Sequence, residues 1–361
     1  MNGFGIKLRV TTFGESHGAG IGCVIDGVPA GLKIDEAFIQ NELDRRRPRS
    51  DRPGSTSRNE PDRAEILSGV FEGLSTGAPI GLFIRNTSAK SGDYENLRAL
   101  FRPGHADYSW TMKYGVRDHR GGGRTSARES AARVAAGAIA KLMLRELGVT
   151  VEGGLCAVGG VPGKNEDFNY AKTSEIFSLD PKAEAAQIAA IEAARNDHDS
   201  VGASARIRVT GVPAGIGEPL YDKLDARLAE AMMGINAVKA VEIGEGVNAA
   251  RLKGSENNDA LTPQGFATNH AGGILGGVSS GAPIELTIHF KPTPSIFKPQ
   301  QTINTSGEAV VCEIKGRHDA CVGVRGVVVA EAMAALVVAD LMLAHLGCRM
   351  DHLKAIYKER A

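Results

Sequence analysis

Aromatic residues are scarce in this chain, 5% of 361 residues with a single Trp. A protein that reads single-stranded RNA stacks bases on aromatic rings interleaved with basic side chains, and those rings are missing here. Cysteine is also sparse. Cys23, Cys156, Cys312, Cys321 and Cys348 are widely spaced, odd in number and include no CxxC pair. That argues against a disulfide framework and a zinc site, so no metal is expected, and it suits buried thiols in a reducing cytoplasm. Net charge is absent, with 42 Lys+Arg against 42 Asp+Glu. No global field draws the chain to nucleic acid or to a membrane surface. Met1 to Val10 holds no long apolar run, so neither a secretory signal nor a membrane span is expected, and the protein is placed in the cytoplasm.

What is present is an ordinary globular composition, 42% hydrophobic and 23% charged, with 45 Gly. The length exceeds what one simple core usually fills, so two domains or one large duplicated domain is expected. The sequence favours duplication. Gly69–Ile80 (GVFEGLSTGAPI) parallels Gly273–Ile284 (GILGGVSSGAPI). Val28–Gly31 (VPAG) parallels Val212–Gly215, and Leu142–Leu144 (LML) parallels Leu341–Leu343, in the same order. The expected domain is therefore 1–361, with repeats near 1–150 and 200–350.

Helices are expected at Ala127–Leu147, Ala330–Leu346, Asp180–Ala194 and Leu220–Met233. The first two are apolar nearly all round, which suits helices buried between sheets. Strands are expected at Gly22–Asp26, Ile80–Arg85, Ala205–Thr210 and Ile284–Phe290.

Several stretches carry chemistry. Gly14–Gly18 (GESHG) sets His17 among small residues with Ser16 to orient it, and imidazole exchanges protons near neutrality. Arg102–Asp107 (RPGHAD) places His105 in a second turn-rich loop. In Arg117–Glu129 (RDHRGGGRTSARE), three glycines precede Arg124-Thr125-Ser126 and a strong helix; backbone N–H groups and arginines make this an anion cradle. It matches neither a Walker A motif nor GxGxxG. Arg45–Arg58 is a basic run stiffened by Pro48 and Pro53, read as a loop closing over an anionic ligand. Lys291-Pro292-Thr293-Pro294-Ser295 and Lys315–Cys321, with Arg317 and Asp319, add further cations in tight turns. These residues alone indicate a small phosphorylated substrate and acid/base chemistry without naming a reaction. A polyanion-binding protein using the basic run, and a phosphotransferase using the glycine cradle, are the competing readings.

With those motifs in order, the sequence resembles chorismate synthase over almost its whole length. The stretches that carry the resemblance are Gly14–Pro29, Phe101–Tyr108, Gly121–Ser130, Ile235–Gly244, Asn269–Gly281 and Gly316–Met333. The resemblance implies an α+β fold, a β-α-β sandwich with internal duplication and helices buried between two mainly antiparallel sheets, assembled as a homotetramer. It also implies anti-1,4-elimination of phosphate from 5-enolpyruvylshikimate 3-phosphate, requiring reduced FMN with no net redox change. By the same resemblance His17 protonates or stabilises the departing phosphate and His105 sits by the flavin pyrimidine. Ser16 and Ser126 relay protons, and Asp319 lies near flavin N5. Flavin contacts fall to Arg124, Thr125, Ser126, Asn236, Ala237, Gly276, Lys291, Pro292, Thr293, Pro294, Ser295 and Arg317. Arg46 and Arg52 occupy positions tied to substrate anions, or to NADPH in members that reduce their own flavin. The chain departs from the family pattern at Arg49–Gly54, His119, Pro294 and Ala320.

Overall fold

The computed structural model describes residues 2–56, 60–87, 91–314 and 318–358; Arg58, Lys315, Gly316 and Arg317, named above, lie outside the described residues. One five-stranded sheet contains β1 (Gly3–Phe4), β2 (Arg9–Gly14), β3 (Gly20–Asp26), β4 (Ala64–Ile66) and β5 (Ile80–Arg85), in the order β1-β2-β3-β5-β4. The other contains β6 (Thr150–Val158), β7 (Val161–Pro162), β8 (Ala203–Thr210), β9 (Val238–Ile243) and β10 (Ile284–Phe290), in the order β9-β10-β8-β6-β7. Neighbours in both sheets are antiparallel.

Alternation explains the strands. Along β8, Ala205, Ile207 and Val209 are buried, and along β10 Ile284, Leu286, Ile288 and Phe290 are buried, while the residues between them are half-exposed. On β3, Ile21, Cys23 and Ile25 are the inward set. Each of the Val, Ile, Leu and Phe side chains among them, taken out of water, contributes about 1.5–3 kcal/mol.

Between the sheets lie two long helices. Among the described helices are, in chain order, α1 (Glu36–Arg46), α2 (Asp107–Tyr114), α3 (Ser130–Glu146), α4 (Glu184–Asn196), α5 (Leu224–Met233) and α6 (Gly323–His345). α3 packs on β3 and α6 packs on β6 and β8, and the two helices pack on each other. The helices are apolar all round because they are covered all round: every residue of α3 from Val134 to Leu144 is buried. By length and composition α6 would cross a membrane, but it is the core helix here and most of it is buried inside the protein.

Glycine sets the helix contacts. A Cβ on Gly137 of α3 would stand 2.4 Å from the Ala332 Cβ of α6, so the missing side chain lets the two helices touch backbone to backbone. Gly326 presses on the Phe290 ring in the same way, at 2.5 Å. α6 starts at Gly323, not at the expected Ala330, with Gly323 and Gly326 packed against Ala203 and Phe290. α4 starts at Glu184, later than the expected Asp180, because the Asp180 carboxylate is spent on the Lys164 and Lys182 N–H groups. α5 starts at Leu224, not Leu220. The basic run expected as a loop begins as helix: Arg45 and Arg46 are the last turn of α1, whose N-terminus is capped by Asp35 accepting from the Phe38 N–H at 2.9 Å.

The two halves share further detail. The hairpins Val70–Phe71/Leu74–Ser75 and Ile274–Leu275/Val278–Ser279 are both antiparallel. The Ser75 hydroxyl donates to the Pro29 carbonyl and the Ser279 hydroxyl to the Pro213 carbonyl, both at 2.6 Å.

Candidate active site

A cavity of about 480 Å³ opens where loops from both halves meet. The turn between β2 and β3 supplies Ser16 and His17, both nearly buried, with the His17 ring edge-on to Tyr94 at 5.1 Å. The turn before α2 supplies His105. Between them runs Gly121-Gly122-Gly123, every residue at positive φ (59°, 85° and 53°). An ideal Cβ on Gly121 would lie 2.6 Å from the His17 ring, and one on Gly122 would lie 3.0 Å from His105 Cε1. Only glycine fits this loop between the two imidazoles without strain. Ser16 is tied to it by its N–H donating to the Gly123 carbonyl and its hydroxyl to the Arg120 carbonyl, each at 3.3 Å.

His105 is held by a buried carboxylate. Its Nδ1 lies 3.1 Å from Asp107 Oδ1, and Asp107 also pairs with Arg102 at 2.8 Å and Arg117 at 3.2 Å. Burial pushes the His105 pKa below its ordinary value, and the Arg102 charge adds to the shift against the opposing bond to Asp107. The Arg102 and His105 bonds hold Asp107 far below the usual carboxylate range against the cost of burial. Lys291 reaches this wall, donating from Nζ to the Gly104 carbonyl at 2.7 Å; burial, then Lys239, lowers its pKa.

Another part of the lining is an ion cluster. Arg46, almost wholly buried, donates to Asp62 at 2.5 Å and to the Ser130 hydroxyl at 3.3 Å. Arg128 donates to the other Asp62 oxygen at 2.7 Å. Burial lowers the Arg46 pKa, with Arg325 and Arg128 adding to it and Asp62 opposing. The two cations draw Asp62 below the usual carboxylate range although burial works the other way. Asp319 accepts the Thr56 N–H at 3.0 Å and a bond from Arg325.

Of the residues singled out in the sequence, His105, Thr125, Ser126, Asn236, Ala237, Lys291, Thr293, Pro294, Ser295, Asp319 and Arg46 line this cavity, with Ser16 and His17 against its glycine loop. Others lie elsewhere. Arg124 turns away to donate to the Thr12 carbonyl at 2.9 Å and Asn2 Oδ1 at 3.3 Å, bordering a separate cavity of about 160 Å³. Arg52 borders a third cavity, donating to the Arg45 carbonyl at 2.7 Å with its guanidinium 4.6 Å from the Phe177 ring centre. Gly276 sits at a hairpin turn with φ 62° and open space beside it. Pro292 packs beside Gly202. Tyr94, Glu60, Lys239 and Arg325 also line the main cavity; Tyr94 and Glu60 have no motif in the sequence to mark them, and Lys239 and Arg325 lie inside Ile235–Gly244 and Gly316–Met333 without having been singled out.

Such a cavity selects a small molecule carrying several negative charges, and imidazole and carboxylate groups within it move protons. That is an enzyme of small-molecule metabolism. The comparisons narrow the class. The chorismate synthase family model matches residues 8–343. The chain is 63% identical over 357 residues to the chorismate synthase of Sulfurovum sp. (strain NBC37-1), covering 99% of this chain and all of the relative. It is 59% identical to that of Sulfurimonas denitrificans and 58% to that of Helicobacter hepaticus, each over 359 residues, with 99% of this chain and 100% of the relative covered. A crystal structure of chorismate synthase superposes with TM-score 0.77 at 31% identity, covering 99% of this chain and 98% of that one. The chain belongs to the chorismate synthase family, lyases that carry out the final step of the shikimate pathway.

Proposed function

We propose that the chain expels phosphate from 5-enolpyruvylshikimate 3-phosphate by anti-1,4-elimination, giving chorismate, with reduced FMN held in the same cavity. The observation that carries this reading is the positive-φ triglycine loop, which sets two imidazoles against a guanidinium-lined cavity.

The donor set fits a flavin. Asn236 Oδ1 and Thr293 Oγ1 are buried on the cavity wall without a hydrogen-bond partner among the described residues, and the adjoining Ala237 holds φ 70° with its carbonyl accepting from the Lys291 N–H at 2.9 Å, which ties it to the Lys291–Ser295 turn. Thr125, Ser126, Asn236, Ala237 and the Lys291–Ser295 turn would hold the cofactor. When bound, reduced flavin supplies an electron that is lent and recovered within one turnover, so no net redox change occurs. The remaining work belongs to the protein. His17 delivers a proton to the departing phosphate, and Ser16 keeps that imidazole against the glycine loop. His105 stays neutral near pH 7, because burial disfavours its cation, and offers a fixed hydrogen bond to the flavin pyrimidine edge. Ser126 caps the turn before α3 and relays protons. Asp319, fixed by Arg325 and the Thr56 N–H, stands where a proton or hydrogen must be managed near the cofactor. Arg46 meets substrate anions without moving, since Asp62 and Ser130 already hold it.

The same reading includes NADPH as the candidate flavin reductant with Arg46 and Arg52 as its contacts. It also includes Arg124, Gly276, Pro292 and Arg317 as cofactor contacts, a homotetramer, a cytoplasmic location, and one duplicated domain spanning 1–361. The equal strand order β2-β3-β5-β4 and β6-β8-β10-β9 supports the duplication.

The test is an anaerobic titration of the protein with reduced FMN, with and without substrate, followed by phosphate release. His17→Ala and His105→Ala should each lower turnover on the order of 10²–10⁴-fold. Unchanged turnover in either variant would remove that assignment.

A further inference from the structure

We infer that Glu60 recognises the substrate's one free ring hydroxyl and makes the enzyme selective for the hydroxylated ring; this rests on the substrate proposed above. Glu60 lines the main cavity and is 3% exposed. Its Oε2 is buried and accepts no hydrogen bond among the described residues. Among the described residues its cationic neighbour is Arg128, whose Nη2 stands 3.6 Å away and is not aimed at it: Nη2 donates to the Arg85 carbonyl at 3.3 Å, Nη1 to Asp62 at 2.7 Å and Nε to Asn86 at 2.6 Å. Asp62 carries one charge against the two of Arg46 and Arg128, so Glu60 completes the charge balance of that group while its Oε2 still receives no hydrogen bond among the described residues.

A buried carboxylate facing a cavity for anions is a liability unless something donates to it. Repulsion rules out the phosphate and the two carboxylates of the substrate as its neighbours. A neutral donor is required, and the substrate has one, the hydroxyl at C4 of its ring. Ribityl hydroxyls of the flavin offer the same chemistry. The placement favours the substrate, because Glu60 belongs to the Arg46–Asp62–Arg128 wall, whereas the Lys291–Ser295 turn is linked to the Gly104–His105 wall through the Lys291 bond to Gly104. A site that must hydrogen-bond a hydroxyl penalises the analogue that lacks it, since its own polar group is then left bare.

The experiment measures kcat/KM for 5-enolpyruvylshikimate 3-phosphate and for its 4-deoxy analogue, anaerobically with reduced FMN, together with the Kd of reduced FMN. The unmodified enzyme should favour the hydroxylated substrate by roughly 10²-fold, as expected for a hydrogen bond to a charged acceptor. Glu60→Ala should cut that preference to about threefold or less by leaving nothing to satisfy. Glu60→Gln preserves the volume, serves where the alanine variant does not fold, and should reduce the preference about tenfold. Equal slowing of both substrates would make Glu60 only a partner of Arg128 and overturn the inference. A weakened FMN Kd with the preference intact would move the contact to the ribityl chain and overturn it as well. Failure of the unmodified enzyme on the natural substrate would instead overturn the functional reading, independently of Glu60.

Discussion

Gly121 shows how one residue can decide the chemistry. With φ at 59° and the His17 ring 2.6 Å from where a Cβ would stand, alanine there must displace the imidazole or the loop. A shift of about 1 Å in a reacting group is enough for roughly a 10²-fold loss. Gly121→Ala should therefore lose about that much turnover while its circular dichroism stays unchanged; full activity would show that the imidazole is not placed by this contact. His105 permits a second residue-level prediction. Its folded pKa lies below its ordinary 6.5, so the fold prefers the neutral ring. The associated stability is present above about pH 6.5 and is lost as pH falls through the folded value. An NMR titration of His105 should show the ring still neutral at pH 6.5, and a midpoint above 6.5 would contradict the account. The thiols follow the same logic: burial raises Cys23 and Cys321 to about 12, and Cys348 is exposed. A native-state alkylating agent should mark Cys348 before either buried thiol.

Among the elements, α1, α3 and α6 are joined by more than apolar packing. Lys141 of α3 donates to Glu42 of α1 at 2.6 Å and to Glu331 of α6 at 2.5 Å, and Arg45 of α1 donates to both carboxylates. Arg45 and Lys141 hold Glu331 down at about 2, against burial that would raise it from 4.5. Its contribution is complete above about pH 4.5 and disappears as pH falls toward 2. Removing one member of a buried ion network leaves an uncompensated charge and costs about 3–5 kcal/mol. Glu331→Gln should show that loss in denaturant unfolding at pH 7, with a flatter acid limb between those pH values; equal stability would mean the network is dispensable. These elements also show what the sequence could disclose. The boundaries of β5 and β10 were legible because a Gly-Ala-Pro turn precedes each, and along β10 apolar and polar residues alternate strictly. α1 was not, since its last turn is arginine and a charge run reads as solvent-exposed, whereas Arg46 spends its charge inside the protein on Asp62. The start of α6 was hidden by Gly323 and Gly326, which look like breakers in sequence and are contact points against Ala203 and Phe290 in the fold.

For the whole molecule, two sheets closed around α3 and α6 form a rigid frame, and the loops at its edge carry the chemistry. The motif residues of those loops were legible because glycine and histidine in short turns are costly unless something uses them. Glu60 was not, and Lys239 and Arg325 sat inside motif stretches without standing out, because no spacing in the chain reports that the Glu60 loop, the start of β9 and the start of α6 converge on one cavity. The central claim is that this cavity holds a reduced flavin beside a phosphorylated ring and returns the cofactor unchanged. The direct measurement counts phosphates released per flavin oxidised, without oxygen, with reduced FMN at the concentration of the enzyme. The account predicts many phosphates per flavin while the flavin absorbance stays that of the reduced form. One flavin oxidised for each phosphate released, or equal turnover with oxidised FMN, would contradict it.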